Sequence, residues 1–373
     1  MGSDVINFFL DEGYWDVIRR AAGVLASGGL VIFPTETVYG VGARADNPSA
    51  VERLRRVKKR HRDKPFTVHV GRRDEVDRYV PQVSGLGRRL LRRGWPGPLT
   101  VLFPVRDPSD APIVREIDRS AAGGLYHDGV IGLRCPDHPQ TRDLLNEAGG
   151  PVVAASANLA GRPPPRDVVE SLRDLNNRVD LVLDGGPTRL SVPSTVVRLD
   201  GSGFEILRAG AYDEAALRRM AAMNLLFVCT GNTCRSPMAA ALCETILLER
   251  LRGDASAPAA GEVSVGSCGV FAGSNSGASP EAMEVMSRRG ADLSGHRTRP
   301  LTAELIRQAD HIYVMTRKHL ERVVEMVPSA KDRCRLLSDG DIHDPIGGSI
   351  EVYARCADRI EASLRARLKE VEI

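Results

Sequence analysis

Net charge is almost absent from this 373-residue chain: 51 Lys and Arg stand against 48 Asp and Glu, leaving +3. Charge therefore gives no argument for a nucleic-acid partner. The basic clusters at 53–62 and 87–94 read as solvated helix faces balanced by acids elsewhere. No apolar run approaches the roughly 20 residues that span a bilayer. The opening MGSDVINFFLDEGYW lacks the basic-then-apolar layout of a secretory signal. Position 6 is Ile, where a myristoylation site wants Ser or Thr. The expectation is a cytoplasmic protein with no membrane attachment. The seven cysteines (Cys135, Cys229, Cys234, Cys243, Cys268, Cys334, Cys356) are odd in number and lack the paired spacing of a zinc site. That usage suits a reducing compartment and, for most of them, burial as small hydrophobes. There is no internal repeat and no Walker-type loop, so a nucleotide would have to be held in another way.

A composition of 42% apolar and 27% charged residues fits a globular protein, and the length suggests two domains. The best boundary lies near residue 220, where the alanine- and arginine-rich DEAALRRMAAMN (213–224) separates the strand-like FEILRAG from a fresh buried run, NLLFVC. We expect a first domain over 1–212, a linker over 213–223 and a second domain over 224–373. In the first, β-rich runs (GLVIFP, FTVHV, LTVLFP, VIGLR, PVVAAS, LVLDGG, STVVRL) mix with amphipathic stretches at 15–27, 49–59 and 166–175. This pattern predicts an α/β or α+β fold with a large mixed sheet. In the second, strand and helix alternate, which predicts a doubly wound parallel sheet in a three-layer α/β arrangement.

The stretch FVCTGNTCRSP (227–237) sits where a strand hands over to a helix, the usual ligand position of such sheets. Successive backbone N–H groups in the Gly/Asn turn, followed by a helix N-terminus, form a cradle for an anion. Arg235 adds a planar fork for phosphoryl oxygens. The same positive field is expected to lower the Cys229 thiol well below about 8.5 and yield a thiolate, poised to attack phosphorus. A leaving group then needs an acid, and Asp344 in DIHDPIGGS is the candidate. A structural cysteine and a turn aspartate would be the plainer reading of the same residues, but the placing of Gly, Asn, Ser and Pro argues against it.

Residues 224–373 resemble the low-molecular-weight phosphotyrosine phosphatase family through VCTGNTCRSPMA, GADLSGHRTRPL, VMTRKHL and the late Asp-Pro loop. The resemblance implies Cys229 as nucleophile, Arg235 as phosphate clamp, Asp344 as acid then base, Ser236 as a donor to the thiolate and Asn232 as a brace. It implies Cys234 as the thiol that can trap an oxidised nucleophile, and no metal. Tyrosine-directed members carry aromatics directly after the Asp-Pro; here the sequence runs Pro345-Ile346-Gly347. With Thr233 in the loop, the likeness is to the protein-arginine phosphatase branch, although Ile346 stands where phenylalanine is expected. A phosphorylated protein is the implied substrate, phosphoarginine the preferred class and phosphotyrosine the alternative.

In the first domain, polar residues gather at strand ends and turns. Thr37, Arg60, Lys64, His69, Arg134, Ser156, Asn158, Ser194 and Arg208 suggest a pocket for an anionic or nucleotide ligand. Together with Lys58 these blocks resemble the YrdC/Sua5 family over roughly 12–212, including K-x-R at Lys58-Lys59-Arg60 and S-x-N at Ser156-Ala157-Asn158. That family makes L-threonylcarbamoyladenylate from L-threonine, bicarbonate and ATP, supplying a tRNA modification. The resemblance puts Thr37, His69, Arg134 and Ser194 at the threonine site. It puts Arg60, Lys64, Ser156 and Arg208 on the ATP side, with Lys58 and Asn158 nearby and Mg²⁺ accompanying the triphosphate. The alternative is a module that only binds nucleotide or RNA. His61 stands where proline is usual, and a phosphatase-like domain replaces the extra domain of long members.

Overall fold

Short apolar runs punctuated by Gly and Pro become strands that pair across long sequence distances. The computed structural model describes residues 3–9, 13–200, 203–253 and 263–371, and the chain divides into two units, Met1–Ala221 and Ala222–Ile373.

In unit 1, ten strands form one sheet: β1 (Asp4–Asn7), β2 (Val31–Phe33), β3 (Gly40–Arg44), β4 (Thr67–His69), β5 (Leu99–Pro104), β6 (Val130–Arg134), β7 (Val152–Ser156), β8 (Leu181–Asp184), β9 (Thr195–Leu199) and β10 (Phe204–Arg208). Their order is β1-β8-β2-β3-β7-β4-β6-β5-β9-β10. Parallel pairs such as β4/β6 and β5/β9 alternate with antiparallel ones such as β3/β7 and β5/β6, giving the expected mixed sheet. Side chains along a strand point to opposite faces. Ile32 accordingly joins one core, with Tyr39, Trp95 and Leu133, while its neighbours Val31 and Phe33 join another, with Ile18, Leu144 and Leu181. Both faces are thus covered, the second by the helices Tyr14–Ala26 and Pro139–Glu147.

Two features depart from expectation. Strand β3, GVGAR, has too little apolar side chain to be read as a strand. Its glycines are there because Phe33 lies against them: a Cβ on Gly42 would stand 2.9 Å from the Phe33 ring. The stretch 213–223, expected as a linker, holds a helix, Glu214–Ala221. Its Leu217 is fully buried in the unit 1 core, and Arg89 and Arg93 of the helix Gly85–Gly94 donate to the carbonyls of Ala221 (2.5 Å) and Met220 (2.6 Å). One apolar anchor and two capped carbonyls make the helix Glu214–Ala221 part of unit 1, and the division falls between Ala221 and Ala222.

Among the described residues, unit 2 has four parallel strands, β11 (Met223–Cys229), β12 (Val263–Gly269), β13 (His311–Val314) and β14 (Cys334–Leu336), ordered β12-β11-β13-β14. Leu225 and Phe227 pack with Met238, Val285 and Ile360 on one face. Leu226 and Val228 pack with Ile306 and Val323 on the other. The helices Arg235–Gly253, Pro280–Ser287 and Ile350–Arg367 therefore cover one side, and Ala303–Gln308 and Arg317–Met326 the opposite one, as the alternation predicts. Among the described residues no helix is long and apolar enough to cross a membrane.

Candidate active sites

Strand β11 ends at Cys229, and the chain turns through 230–234 into the helix that begins at Arg235. Asn232 holds the turn with φ 57°, a left-handed conformation that costs a non-glycine residue energy unless its surroundings fix it. They do so at every polar group it has. Its Nδ2 donates to Ser236 Oγ and Ser267 Oγ, both at 2.9 Å, and its Oδ1 accepts from Arg299 N at 3.0 Å. His296 Nε2 lies 2.8 Å from its carbonyl. Gly269 is needed beside the loop, since a Cβ there would sit 2.5 Å from Thr230 O and 2.8 Å from Asn232 N.

The Cys229 sulfur lies 2.9 Å from Ser236 Oγ and accepts from Asn232 N at 3.2 Å. Burial pushes its thiol up from the ordinary value, while Ser236, the Arg235 charge and the Asn232 amide pull it down. The expected lowering is thus corrected by the structure: the residue is 2% exposed, and desolvation disfavours the thiolate more than its donors favour it. Arg235, equally buried, donates from Nη1 to Ile342 O (3.0 Å) and from Nη2 to Thr230 Oγ1 (3.0 Å), and pairs with Asp344. Its Nε–H has no acceptor. Cys229, Arg235 and the acid candidate Asp344 therefore meet, although Asp344 lies more than a hundred residues from the other two in sequence. Cys234 Sγ lies 3.3 Å from Tyr353 Oη, 3.5 Å from Ser279 Oγ and 3.5 Å from Thr233 Oγ1.

Three residues around this loop escaped the sequence reading. Thr230 and His319 are joined at 3.0 Å. Phe271, whose amide donates to Thr230 O at 3.0 Å, is 83% exposed, an apolar ring standing in solvent beside the loop. Ile346, after the Asp-Pro, is 69% exposed. An exposed aromatic in a Gly-flanked turn leaves no periodic trace, so Phe271 was legible only in three dimensions.

In unit 1 the strand registers bring the polar residues together. His69 pairs with Arg134 across β4/β6, and Thr100 with Arg134 across β5/β6. Arg134 Nη2 donates to Thr37 Oγ1 at 2.7 Å and lies 3.0 Å from Glu36 Oε2. Thr100 Oγ1 lies 2.9 Å from Ser194 Oγ, which accepts from Arg208 Nη2 at 3.0 Å. Thr37, His69, Arg134, Ser194 and Arg208 thus form one connected group. His69 is neutral: burial and the Arg134 charge push it down to about 3, and its Nδ1 faces Thr67 O at 3.2 Å. Glu36 and Thr100 were not singled out by sequence. Glu36 is 2% exposed and its carboxylate accepts no hydrogen bond. The acid inside the Thr-Glu-Thr turn was the available signal.

The second set lies around the end of β7. The Lys58 ammonium is buried and bonds the carbonyls of Ser156 and Asn158. Burial, then Arg60, pushes it down to about 8. Asn158 Nδ2 donates to Leu159 O (2.9 Å) and Arg162 O (2.6 Å). Lys58 and Asn158 therefore brace the loop rather than offer free polar atoms. Arg60 lies over the Phe66 ring at 5.1 Å and bonds Lys64 O and Pro65 O. Burial, then the charges of Arg55 and Arg208, lowers its pKa, which brings Arg60 and Arg208 into one electrostatic neighbourhood. Lys64 is exposed.

Known proteins match this arrangement in two blocks. Residues 23–210 match the Sua5/YciO/YrdC model, described as telomere recombination. Residues 224–372 match the low molecular weight phosphotyrosine protein phosphatase model. The chain belongs to both families. The threonylcarbamoyl-AMP synthase of Bacillus subtilis is 36% identical over 193 residues, 52% of this chain and 53% of that protein. That of Photobacterium profundum is 31% identical over 197 residues, covering all of it. This Sua5/YrdC–phosphatase chain spans about half the length of the synthases of Bacillus subtilis and Pyrococcus abyssi. The protein-arginine-phosphatase of Geobacillus stearothermophilus is 45% identical over 152 residues, 39% of this chain and 93% of that protein. A Sua5 structure from P. abyssi, 23% identical with a TM-score of 0.51, covers 92% of this chain and 100% of that one and shows likeness of fold alone.

Proposed function

We propose that unit 2 is a cysteine-dependent protein phosphatase acting on phosphoarginine, and that unit 1 forms L-threonylcarbamoyladenylate from L-threonine, bicarbonate and ATP. For unit 2 the carrying observation is the Cys229 sulfur held between Ser236 Oγ and Asn232 N, beside an Arg235 whose buried Nε–H has no acceptor. An anion supplies that acceptor. Burial disfavours the Cys229 thiolate in the free site, so the small fraction that the Ser236, Asn232 and Arg235 donors sustain is the attacking form; it attacks phosphorus and the P–N bond breaks. Asp344 in its acid form protonates the departing guanidine nitrogen, then as carboxylate takes a proton from the water that hydrolyses the phosphocysteine. The relative from Geobacillus stearothermophilus, by its name and 45% identity, supports the guanidine substrate. The exposed Phe271 ring favours a second reading, phosphotyrosine, because it offers an apolar wall for a planar group. Turnover of phosphoarginine and phosphotyrosine peptides by the full chain decides; faster release from phosphotyrosine sinks the first reading.

For unit 1 the connected group Thr37–Arg134 and Ser194–Arg208 carries the reading. Arg134 pairs with the amino-acid carboxylate, while Arg60, Lys64 and Arg208 neutralise phosphates as the carbamate oxygen attacks the α-phosphorus. Lys58 and Asn158 shape the loop that carries Ser156. Magnesium enters with the triphosphate as part of the substrate. Among the described residues no group of three or more His, Cys, Asp or Glu is gathered to hold an ion. The product supplies the threonylcarbamoyl group for tRNA, an indirect partner, and the cytoplasm is the proposed compartment. Pyrophosphate release that needs ATP, threonine and bicarbonate together tests this. No release under any condition favours a module that only binds nucleotide or RNA.

A further inference from the structure

Arg235 can grip a phosphoryl group only if its guanidinium plane is held before substrate arrives, and the residues that hold it include two outside the assigned set. Its Nη1 is spent on Ile342 O at 3.0 Å, and its Nη2 on Thr230 Oγ1 at 3.0 Å and on Asp344. Five donors in one rigid plane mean that fixing the Nη edge fixes the direction of Nε–H. Nε–H is the donor without an acceptor, on a side chain 3% exposed.

The hydrogen bonds behind that edge have a single direction. Thr230 Oγ1 accepts from Arg235, so its one proton is free to go to His319 Nε2, 3.0 Å away. That requires Nε2 to be unprotonated, with the ring proton on Nδ1, and Nδ1 faces Thr316 Oγ1 at 3.1 Å. Burial, then the Arg235 charge, pushes His319 down to about 4, against Asp344 and Asp341, the acidic groups that face it. The imidazole is therefore neutral at physiological pH and its Nε2 is an acceptor. A protonated ring would place two donors on Thr230 Oγ1 and turn the hydroxyl away.

We propose that Thr230 and His319 are positioning residues of the phosphatase, a hydrogen-bonded chain through Arg235, Thr230, His319 and Thr316 that holds Arg235 with its Nε–H directed at a phosphoryl oxygen. The proposal rests on the phosphatase reading of unit 2. Neither side chain donates to the substrate; each acts through Arg235. Their loss therefore weakens oxyanion binding and turnover together.

The test uses the full-length chain and two readouts: kcat/KM on phosphoarginine and on an aryl phosphate, and the inhibition constant of inorganic phosphate. Thr230→Val keeps the shape and removes the hydroxyl. It is expected to lower kcat/KM and raise the phosphate inhibition constant by roughly tenfold to a hundredfold, the worth of a hydrogen bond to a charged group. Thr230→Ser restores both to within about threefold of wild type, because the hydroxyl is what the chain needs. His319→Phe is expected to match Thr230→Val and carries the same test should that variant fail to fold. Wild-type values in Thr230→Val, or equal losses in Thr230→Val and Thr230→Ser, overturn the proposal while leaving the phosphatase reading intact. A wild-type chain that turns over neither substrate overturns the phosphatase reading, and the proposal with it.

Discussion

At the scale of single residues, buried polar groups do most of the explaining. Glu36 is a carboxylate with no hydrogen-bond donor, lying beside Arg134 in the core of unit 1. Breaking a buried pair leaves the other charge uncompensated, at about 3–5 kcal/mol. Glu36→Gln is therefore expected to lower the thermal stability of unit 1 and to raise the KM for threonine in the pyrophosphate-release assay at least tenfold (about 1.4 kcal/mol). An unchanged KM would show that Glu36 does not orient Arg134 for substrate. The histidines give a pH dependence whose sign is fixed. His69 and His319 are held at about 3 and about 4, below the unfolded value of about 6.5. Between these limits the unfolded chain binds more protons, so stability is fully present above pH 6.5 and falls as the pH drops toward 4. Each contributes about 2 kcal/mol of loss by pH 5. Urea unfolding at pH 7 and pH 5, with His69→Gln as control, measures it: the substitution should flatten the acid-side loss of unit 1.

At the scale of elements, what was legible tracked apolar periodicity. The alternation after residue 223 predicted every described strand of unit 2; the central strands β11 and β13, buried on both faces, read as continuous apolar runs. Strand β3 was hidden, since its glycines are set by the Phe33 ring, a contact no local pattern shows. The helix Glu214–Ala221 looked like a linker because it has one buried anchor, Leu217. Leu217→Ala is expected to destabilise unit 1 by about 2–5 kcal/mol and to leave the unfolding of unit 2 unchanged; a true linker residue would leave the unfolding of both units unchanged. The clustering around Cys229 was legible for a related reason: Cys229, Asn232, Arg235 and Ser236 share one short stretch, and only Asp344 had to be sought at a distance. Of its supports, Thr230 lies in the loop but is given its partner only by the fold, while His319 and Phe271 come from other segments and carry no spacing signal. Gly269 is the tightest of them. Gly269→Ala pushes a methyl into Thr230 O, and phosphatase turnover should fall far more than pyrophosphate release.

At the scale of the whole molecule, the cores are separate inventories. Every buried residue of the two clusters of unit 1 lies at or before Leu217, and every one in unit 2 at or after Met223. The polar groups around Cys229 and around Arg134 are likewise built from residues of one unit each. Mutations in contact couple, whereas distant sites without shared partners add to within about 0.3–0.5 kcal/mol. Cys229→Ser is therefore expected to abolish phosphatase turnover and leave threonine-dependent pyrophosphate release within about twofold of wild type. Glu36→Gln should raise the KM for threonine and leave phosphatase turnover unchanged, and the double variant should show the two losses unchanged. Coupling larger than about 1 kcal/mol in that cycle would mean that one site senses the other. In that event the joining of the two units in one chain would be regulatory, and not a matter of covalent attachment alone.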